Sequence, residues 1–255
     1  FCIFNKYKNI ELRAFLVIFS SLSVILSFAQ TNQYGKKIAY RFENNINANL
    51  YTRGMGVGYS YGRIKGIYKT NYTNVELTYY RNAKEKRSSS KFSSSPRTFI
   101  YGKQYSSYNI KVSKSRSQIL FYKGESKGVR INMVQKLGFN LGILKPYYLN
   151  LRTDDFDEYT AMKFEDDNIR FLTPSMIHSG ADLGTGFWES TINPGGTVEF
   201  GLNFDFGEYT DLVRILEVGT TLDVYARDIS VMVFGDSSRY FLTLYTRINV
   251  GWRSI

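Results

Sequence analysis

Two residue types that build cross-links and reactive centres are almost missing from this chain of 255 residues. It has one cysteine, Cys2, and one histidine, His178. A lone cysteine cannot close an internal disulfide, and one histidine leaves a zinc site without ligands. A hydrolase or deacylase built on a nucleophile and a base would need His178, which lies beside Ser179. Neighbours in sequence do not form a dyad by that fact. The sequence therefore reads as non-catalytic and without cofactor, with a lipid-modifying enzyme as the remote alternative. Also missing, past residue 30, is any window approaching eighteen consecutive apolar residues, so no transmembrane helix is expected there. Convincing helical periodicity is absent as well.

The first thirty residues differ from the rest. Lys6, Lys8 and Arg13 precede an apolar run from Ala14 to Phe28, and Ser27-x-Ala29 follows with small residues at the right spacing. This is the pattern of a secretory signal peptide cleaved after Ala29. Cys2 lies upstream of the run, so it is not a lipidated cysteine at the cut. Residues 30–255 are then one domain carrying 30 basic and 21 acidic residues, a net of +9. In an exported chain, this excess suits anionic lipid or glycolipid phosphate rather than nucleic acid.

What the domain does have is alternation with period two. Val198, Phe200, Leu202, Phe204 and Phe206 alternate with Glu199, Gly201, Asn203 and Asp205. Near the end, Leu242, Leu244, Thr246, Ile248, Val250 and Trp252 alternate with Thr243, Tyr245, Arg247, Asn249 and Arg253. The same reading places eight strands at about 34–44, 53–64, 71–82, 105–122, 129–150, 196–207, 212–226 and 238–253. A soluble sandwich also alternates. Strands of ten or more residues, however, match a tilted crossing of the hydrocarbon layer. Short connections (65–70, 123–128, 208–211) also alternate with long ones (83–104, 151–195, 227–237), as periplasmic turns alternate with surface loops. The predicted fold is all-β: a closed antiparallel transmembrane β-barrel of about eight strands, with both termini in the periplasm.

That choice turns the apolar stripes outward and the charges inward. Arg41, Lys111, Arg130, Lys136, Arg247 and Arg253 would share the lumen with Glu43, Glu76, Glu199, Asp205, Glu217 and Asp223. An eight-stranded lumen is too narrow for an aqueous channel, and buried charges persist when paired. The expectation is a salt-bridged plug rather than a pore.

Other segments carry weaker signals. The glycines Gly54, Gly56, Gly58 and Gly62 are expected on the lumen face, making room for bulky neighbours. Pro146 ends the fifth strand; Tyr147 and Tyr148, with Trp188 or Trp252, suit aromatic girdles, and Lys145 to Tyr148 form a candidate rim for docking a partner. Asp154, Asp155 and Asp157, in a loop that also holds Glu158, Glu165, Asp166 and Asp167, are a weak calcium candidate. The basic, serine-rich segment from Lys84 to Arg97 (KEKRSSSKFSSSPR) is a candidate contact for glycolipid phosphates.

RGMGVGY from Arg53, KEK from Lys84, YGK from Tyr101, LGILKPYYL from Leu141, NPGGTVEFGLNFDFG from Asn193, LEVGTTLDVYARDISVM from Leu216 and the terminal strand together resemble a family of Bacteroidota outer-membrane β-barrels without a well-defined activity. SFAQ at the expected cut is similar to that phylum's secreted proteins, while Met55 stands where a larger aromatic is usual. The resemblance implies an outer-membrane location and a non-catalytic accessory subunit of outer-membrane machinery, beside the barrel-assembly core. The expected partners are outer-membrane lipid or glycolipid and another outer-membrane protein. A stand-alone surface barrel whose loops bind glycolipid, an ion or an external ligand is the alternative.

Overall fold

The computed structural model describes residues 40–66, 68–82, 84–90, 97–122, 128–153, 159–182, 184–206, 212–235 and 237–254. The export segment and the calcium candidates Asp154, Asp155 and Asp157 lie outside the described residues. In chain order the strands are β1 (Phe42–Tyr51), β2 (Gly54–Ile64), β3 (Lys69–Tyr80), β4 (Arg87–Ser88), β5 (Phe99–Ile100), β6 (Tyr105–Phe121), β7 (Arg130–Pro146), β8 (Tyr148–Arg152), β9 (Tyr159–Lys163), β10 (Ile177–Gly180), β11 (Thr191–Asp205), β12 (Leu212–Ile229) and β13 (Ser238–Ser254). Eight of them close into an antiparallel barrel in the order β1-β13-β12-β11-β7-β6-β3-β2. Among the described residues, no helix is long and apolar enough to cross a membrane.

Each barrel strand pairs with the next barrel strand along the chain, and β1 pairs with β13 to close the seam. Closure leaves no unpaired edge, as a sheet crossing lipid requires. The connections β2–β3, β6–β7 and β11–β12 lie at the end where the barrel begins and finishes. The opposite end holds the Thr52–Arg53 turn and the long connections, which contain β4 and β5 and the sheet β10-β8-β9.

The register fixes the stagger. A lateral walk from Trp252 passes through Asn44, Tyr61, Thr73, Lys114, Leu137, Val198 and Leu222. It returns to β13 at Leu242, ten residues from where it started. Ten residues of shear over eight strands correspond to a tilt of roughly 40°. At that tilt, Leu242 to Trp252 spans about 25 Å along the axis, the height of the apolar band of membrane barrels.

Burial is inverted relative to a soluble protein. Phe139 is 81% exposed and Leu242 68%, whereas Lys111 is 1% and Arg247 3% exposed. Water would not tolerate that outer wall, and lipid requires it, so the barrel is a membrane-spanning one. Of the residues expected to face lipid, Phe200, Leu202, Leu242, Leu244, Ile248, Val250 and Trp252 are exposed, and Val198 and Phe204 are half-buried on the same outer face.

The first strand departs from the sequence reading. Of the expected segment 34–44, residues 34–39 lie outside the described residues; the first described strand is Phe42–Tyr51, whose inward residues are Glu43, Asn45, Asn47, Asn49 and Tyr51. Asparagine on one face and Asn44 and Ala48 on the other gave little hydrophobic contrast. Arg41 consequently stays outside the lumen, exposed at the barrel end, with its backbone N–H donating to Ser254 O. The sixth barrel strand also starts five residues early, through Pro194. Asn193 replaces lost ladder bonds: its Nδ2 donates to Arg227 O and its Oδ1 accepts from Arg227 N, at 2.8 and 3.0 Å.

Candidate functional site: a filled lumen, a cap and a notch in the outer wall

Three tiers of ionic contacts fill the lumen. Nearest the termini, Arg253 pairs with Glu43 at 2.8 Å and with Asp205 at 3.2 Å. Arg130 also pairs with Asp205, and the Tyr72 hydroxyl donates to Glu43 at 2.7 Å. In the middle tier, Lys136 lies 2.6 Å from Glu76 and 2.9 Å from Glu199. Arg247 reaches Glu217 at 2.8 Å, Glu199 at 3.0 Å and Glu76 at 3.1 Å. In the third tier Lys111 meets Asp223 at 2.9 Å, and the Tyr80 hydroxyl accepts from Lys111 and donates to Asp223. Asn140 adds a 3.2 Å bond to the same carboxylate.

These contacts reach across the barrel, joining β3 to β7 and β13, and β6 to β12. Bulky side chains fit because glycine faces them. A Cβ on Gly58 would lie 2.7 Å from Glu76 Cγ, and one on Gly201 would lie 2.6 Å from the Tyr245 hydroxyl. Two cavities among the described residues measure about 20 and 30 Å³. Each has room for a water or two, far short of the several hundred Å³ of a small-molecule site.

A fourth pair, absent from the sequence reading, sits above the tiers. Lys103 lies 3.2 Å from Glu85, both side chains 1% exposed, and donates to the Tyr79 hydroxyl at 3.0 Å. Both residues belong to the long β3–β6 connection, where no alternation marks them. That connection meets the cap, whose core is Phe99, Leu149, Leu151, Phe171 and Ile177. Asp167 caps the single helical turn Asn168–Phe171 by accepting from Arg170 N at 3.0 Å.

The proposed docking rim falls largely inside this cap. Lys145 and Pro146 are buried, and Tyr147 packs against the cap core with its hydroxyl accepting from Ile100 N at 3.1 Å. Tyr148 is half-buried and donates to Glu189 at 2.9 Å. Pro146 offers no N–H, so pairing along β7 stops there and the chain passes from barrel to cap. Lys163 also donates to Glu189, at 2.7 Å, and these two hydrogen bonds hold the Glu189 carboxyl below its ordinary value. His178 and Ser179 are adjacent on β10, where the register against β8 shifts between Ile177 and Ser179. The Ser179 hydroxyl accepts from Asn150 at 2.9 Å, while the His178 ring stacks on Tyr159 with centroids 3.8 Å apart. Among the described residues, no group of three His, Cys, Asp or Glu side chains is placed to hold a metal ion.

In the basic segment 84–97, Arg97 pairs with Asp182 at 2.6 Å and Lys84 donates to Phe234 O at 3.4 Å. Lys91 lies outside the described residues.

The apolar cover of the outer wall is broken on β6. On β6 the outward residues Tyr108, Ile110 and Val112 are followed by Lys114 and Arg116, both exposed. Lateral pairing sets Lys114 beside Thr73 and Leu137, and Arg116 beside Asn71 and Gln135. Lys114 is four strand-to-strand steps from Trp252, and the stagger raises that row by five residues of ten. Lys114 is therefore level with Arg247, halfway up the apolar band. A lysine or arginine on the lipid face costs about 2–4 kcal/mol at the midplane, less towards the interfaces. The signal was present in the sequence, where the alternation after Val112 turns from apolar to basic.

No family model matches the chain, and no curated protein matches it. Among solved structures, it is similar to a major outer membrane protein from Thermus thermophilus, with 10% identity, a TM-score of 0.45 and coverage of 85% of this chain and 100% of that one. It is also similar to the N-terminal β-barrel domain of Pseudomonas aeruginosa OprF, with 7% identity, a TM-score of 0.36 and coverage of 84% and 98%. Neisserial surface protein A gives 11% identity, a TM-score of 0.35 and coverage of 84% and 95%. At such values these likenesses add nothing to what register and contacts establish: a closed, eight-stranded, lipid-facing barrel with a filled lumen.

Proposed function

We propose that this chain is a non-catalytic integral protein of the outer membrane that serves as an accessory subunit, binding another outer-membrane protein through its outside. The observation that supports this reading is the filled lumen. Eleven charged side chains from all eight strands except β2 occupy the space a solute would need. A barrel that conducts nothing acts through its wall, its cap or its ends. The resemblance to Bacteroidota outer-membrane barrels adds that the partner is a component of barrel-assembly machinery, and the basic segment at the cap end adds contact with glycolipid phosphates.

Extraction of native membranes in a mild detergent, followed by pull-down on a tag at the cap, tests the proposal. A stoichiometric outer-membrane partner is expected. A chain that runs alone as a monomer, with no crosslinked neighbour, would leave it as a stand-alone surface barrel. In planar bilayers the purified protein is expected to give no stepwise conductance, and steady single-channel steps would contradict the filled lumen itself.

A further inference from the structure

The break in the outer wall has no partner within the chain. Among the described residues, neither Lys114 nor Arg116 has a salt bridge or a side-chain hydrogen bond, although both stand exposed on β6. Around them lie Thr73, Asn71 and Gln135; apolar side chains stand above this patch, and below it the outward faces of β6 and β3 continue to the barrel end with the laterally paired Gln118 and Lys69, beside Arg63 of β2. On β7 the outward residues are Ile131 and Met133 below Gln135, then Leu137 and Phe139 above it. On β3 Val75 and Leu77 stand above Thr73, both exposed. The walls of β11, β13 and β1 carry no charged residue at comparable depth; their outward faces there are Phe200, Leu202, Leu244, Ile248, Ile46 and Ala48.

Extended arginine and lysine side chains near the edge of a membrane reach the headgroups by snorkelling. Arg116 lies one rung below Lys114 and closer to that edge. Lys114 is level with the middle of the plug, where lipid offers only hydrocarbon. Counter-charge at that depth must come from protein. A second copy of this chain cannot supply it. In the described barrel strands the acids Glu43, Glu76, Glu199, Asp205, Glu217 and Asp223 point into the lumen. Asp228, at the cap end of β12, is paired with Arg239 at 2.8 Å. A two-fold contact through this wall would set like charges against each other.

We infer that the outer face of β3, β6 and β7 around Lys114, Arg116 and Gln135 is a lateral docking surface for a different membrane-embedded protein, which presents one or more carboxylates to lipid at mid-depth. This rests on the accessory-subunit reading and names the face through which it acts. The partner's carboxylate would meet Lys114 and Arg116 in a low-dielectric setting, where a charge-assisted hydrogen bond is strong. The flanking Leu137, Phe139 and Val112 would supply the apolar border of the contact.

A photoreactive amino acid placed at Gln135 or Val112 of the full chain, in native membranes, reads the surface directly. Crosslinks from these positions to one membrane protein are expected, with at least tenfold fewer from Leu244 on the far wall. The double variant Lys114→Leu, Arg116→Leu is expected to lower the Gln135 crosslink tenfold or more. Unchanged heat-shifted migration of the variant on gels would show that its barrel still folds. Crosslinks from Gln135 to lipid or to a second copy of the chain overturn the inference, as do equal yields from both walls. A partner that co-purifies but crosslinks only through the cap overturns this surface and leaves the accessory role standing. Absence of any co-purified partner overturns both.

Discussion

A guanidinium presents five N–H donors in one plane, and Arg247 aims them at four neighbours. Its Nε donates to Asn49 Oδ1 at 2.7 Å, and its terminal nitrogens meet Glu217, Glu199 and Glu76. Arg247→Met would leave Glu76 and Glu199 paired with Lys136 and the buried Glu217 with only the Tyr245 hydroxyl. Removing one member of a buried ionic network costs about 3–5 kcal/mol, because the remaining charges stay desolvated. Urea titration of the barrel in lipid vesicles, followed by tryptophan fluorescence, is expected to show a loss of that size. Adding Glu217→Gln should recover part of it, and a loss below about 1 kcal/mol would remove Arg247 from its central place. Gly58 gives a second residue-scale prediction. A methyl group there meets Asn47 Oδ1 and Glu76 Cγ at 2.7 Å and Val75 O at 2.8 Å. Gly58→Ala is expected to destabilise by about 1–3 kcal/mol through overpacking. Gly66, with nothing within 4 Å of an added Cβ, should accept alanine with little change in the same titration.

At the scale of elements, the cap is expected to respond to pH. Glu189 carries a carboxyl held below its usual 4.5 by hydrogen bonds from Lys163 and Tyr148. A group whose folded value is depressed contributes stability above its unfolded value and loses it as pH falls through the folded one. Hydrogen-exchange protection across residues 159–190, corrected for the intrinsic pH dependence of amide exchange, is therefore expected to be greater at pH 7 than below pH 4. Glu189→Gln should flatten that difference, and an unchanged pH profile would mean that other groups set it. The barrel strands were legible because lipid outside and a packed polar lumen inside impose strict alternation along β2, β3, β6, β7, β12 and β13. β1 was misplaced because Asn45, Asn47 and Asn49 face Ile46, Ala48 and Leu50, a weak contrast, while Ile38, Tyr40 and Phe42 made a stronger stripe nearby. The cap strands were not legible at all. β4 and β5 have two residues each, too few to carry a period, and β8 to β10 bury their apolar side chains against one another rather than on one side of a long sheet. Lys145 to Tyr148 looked like a rim because sequence does not reveal that a cap folds over it.

The whole molecule depends on the β1–β13 pair, since only this contact turns a sheet into a tube. Ten register pairs run from Phe42 opposite Ser254 to Tyr51 opposite Tyr245. Ending the chain after Gly235 is expected to leave β1 and β12 with free edges and to abolish the heat-dependent gel shift of a folded barrel. A truncated chain that kept the shift would show that seven strands can close. The side chains reinforce the seam, with Arg253 of β13 on Glu43 of β1 and Arg247 of β13 on Asn49 of β1. The ionic tiers then tie opposite walls together. In mechanical terms the result is a cross-braced tube with a locked seam. Parting β1 from β13 would break the backbone ladder and tear charged pairs out of the lumen at once. A load on the cap is passed down such a tube to the opposite end without the wall opening sideways. The barrel is built as a strut between the two faces of its membrane, and not as a gate.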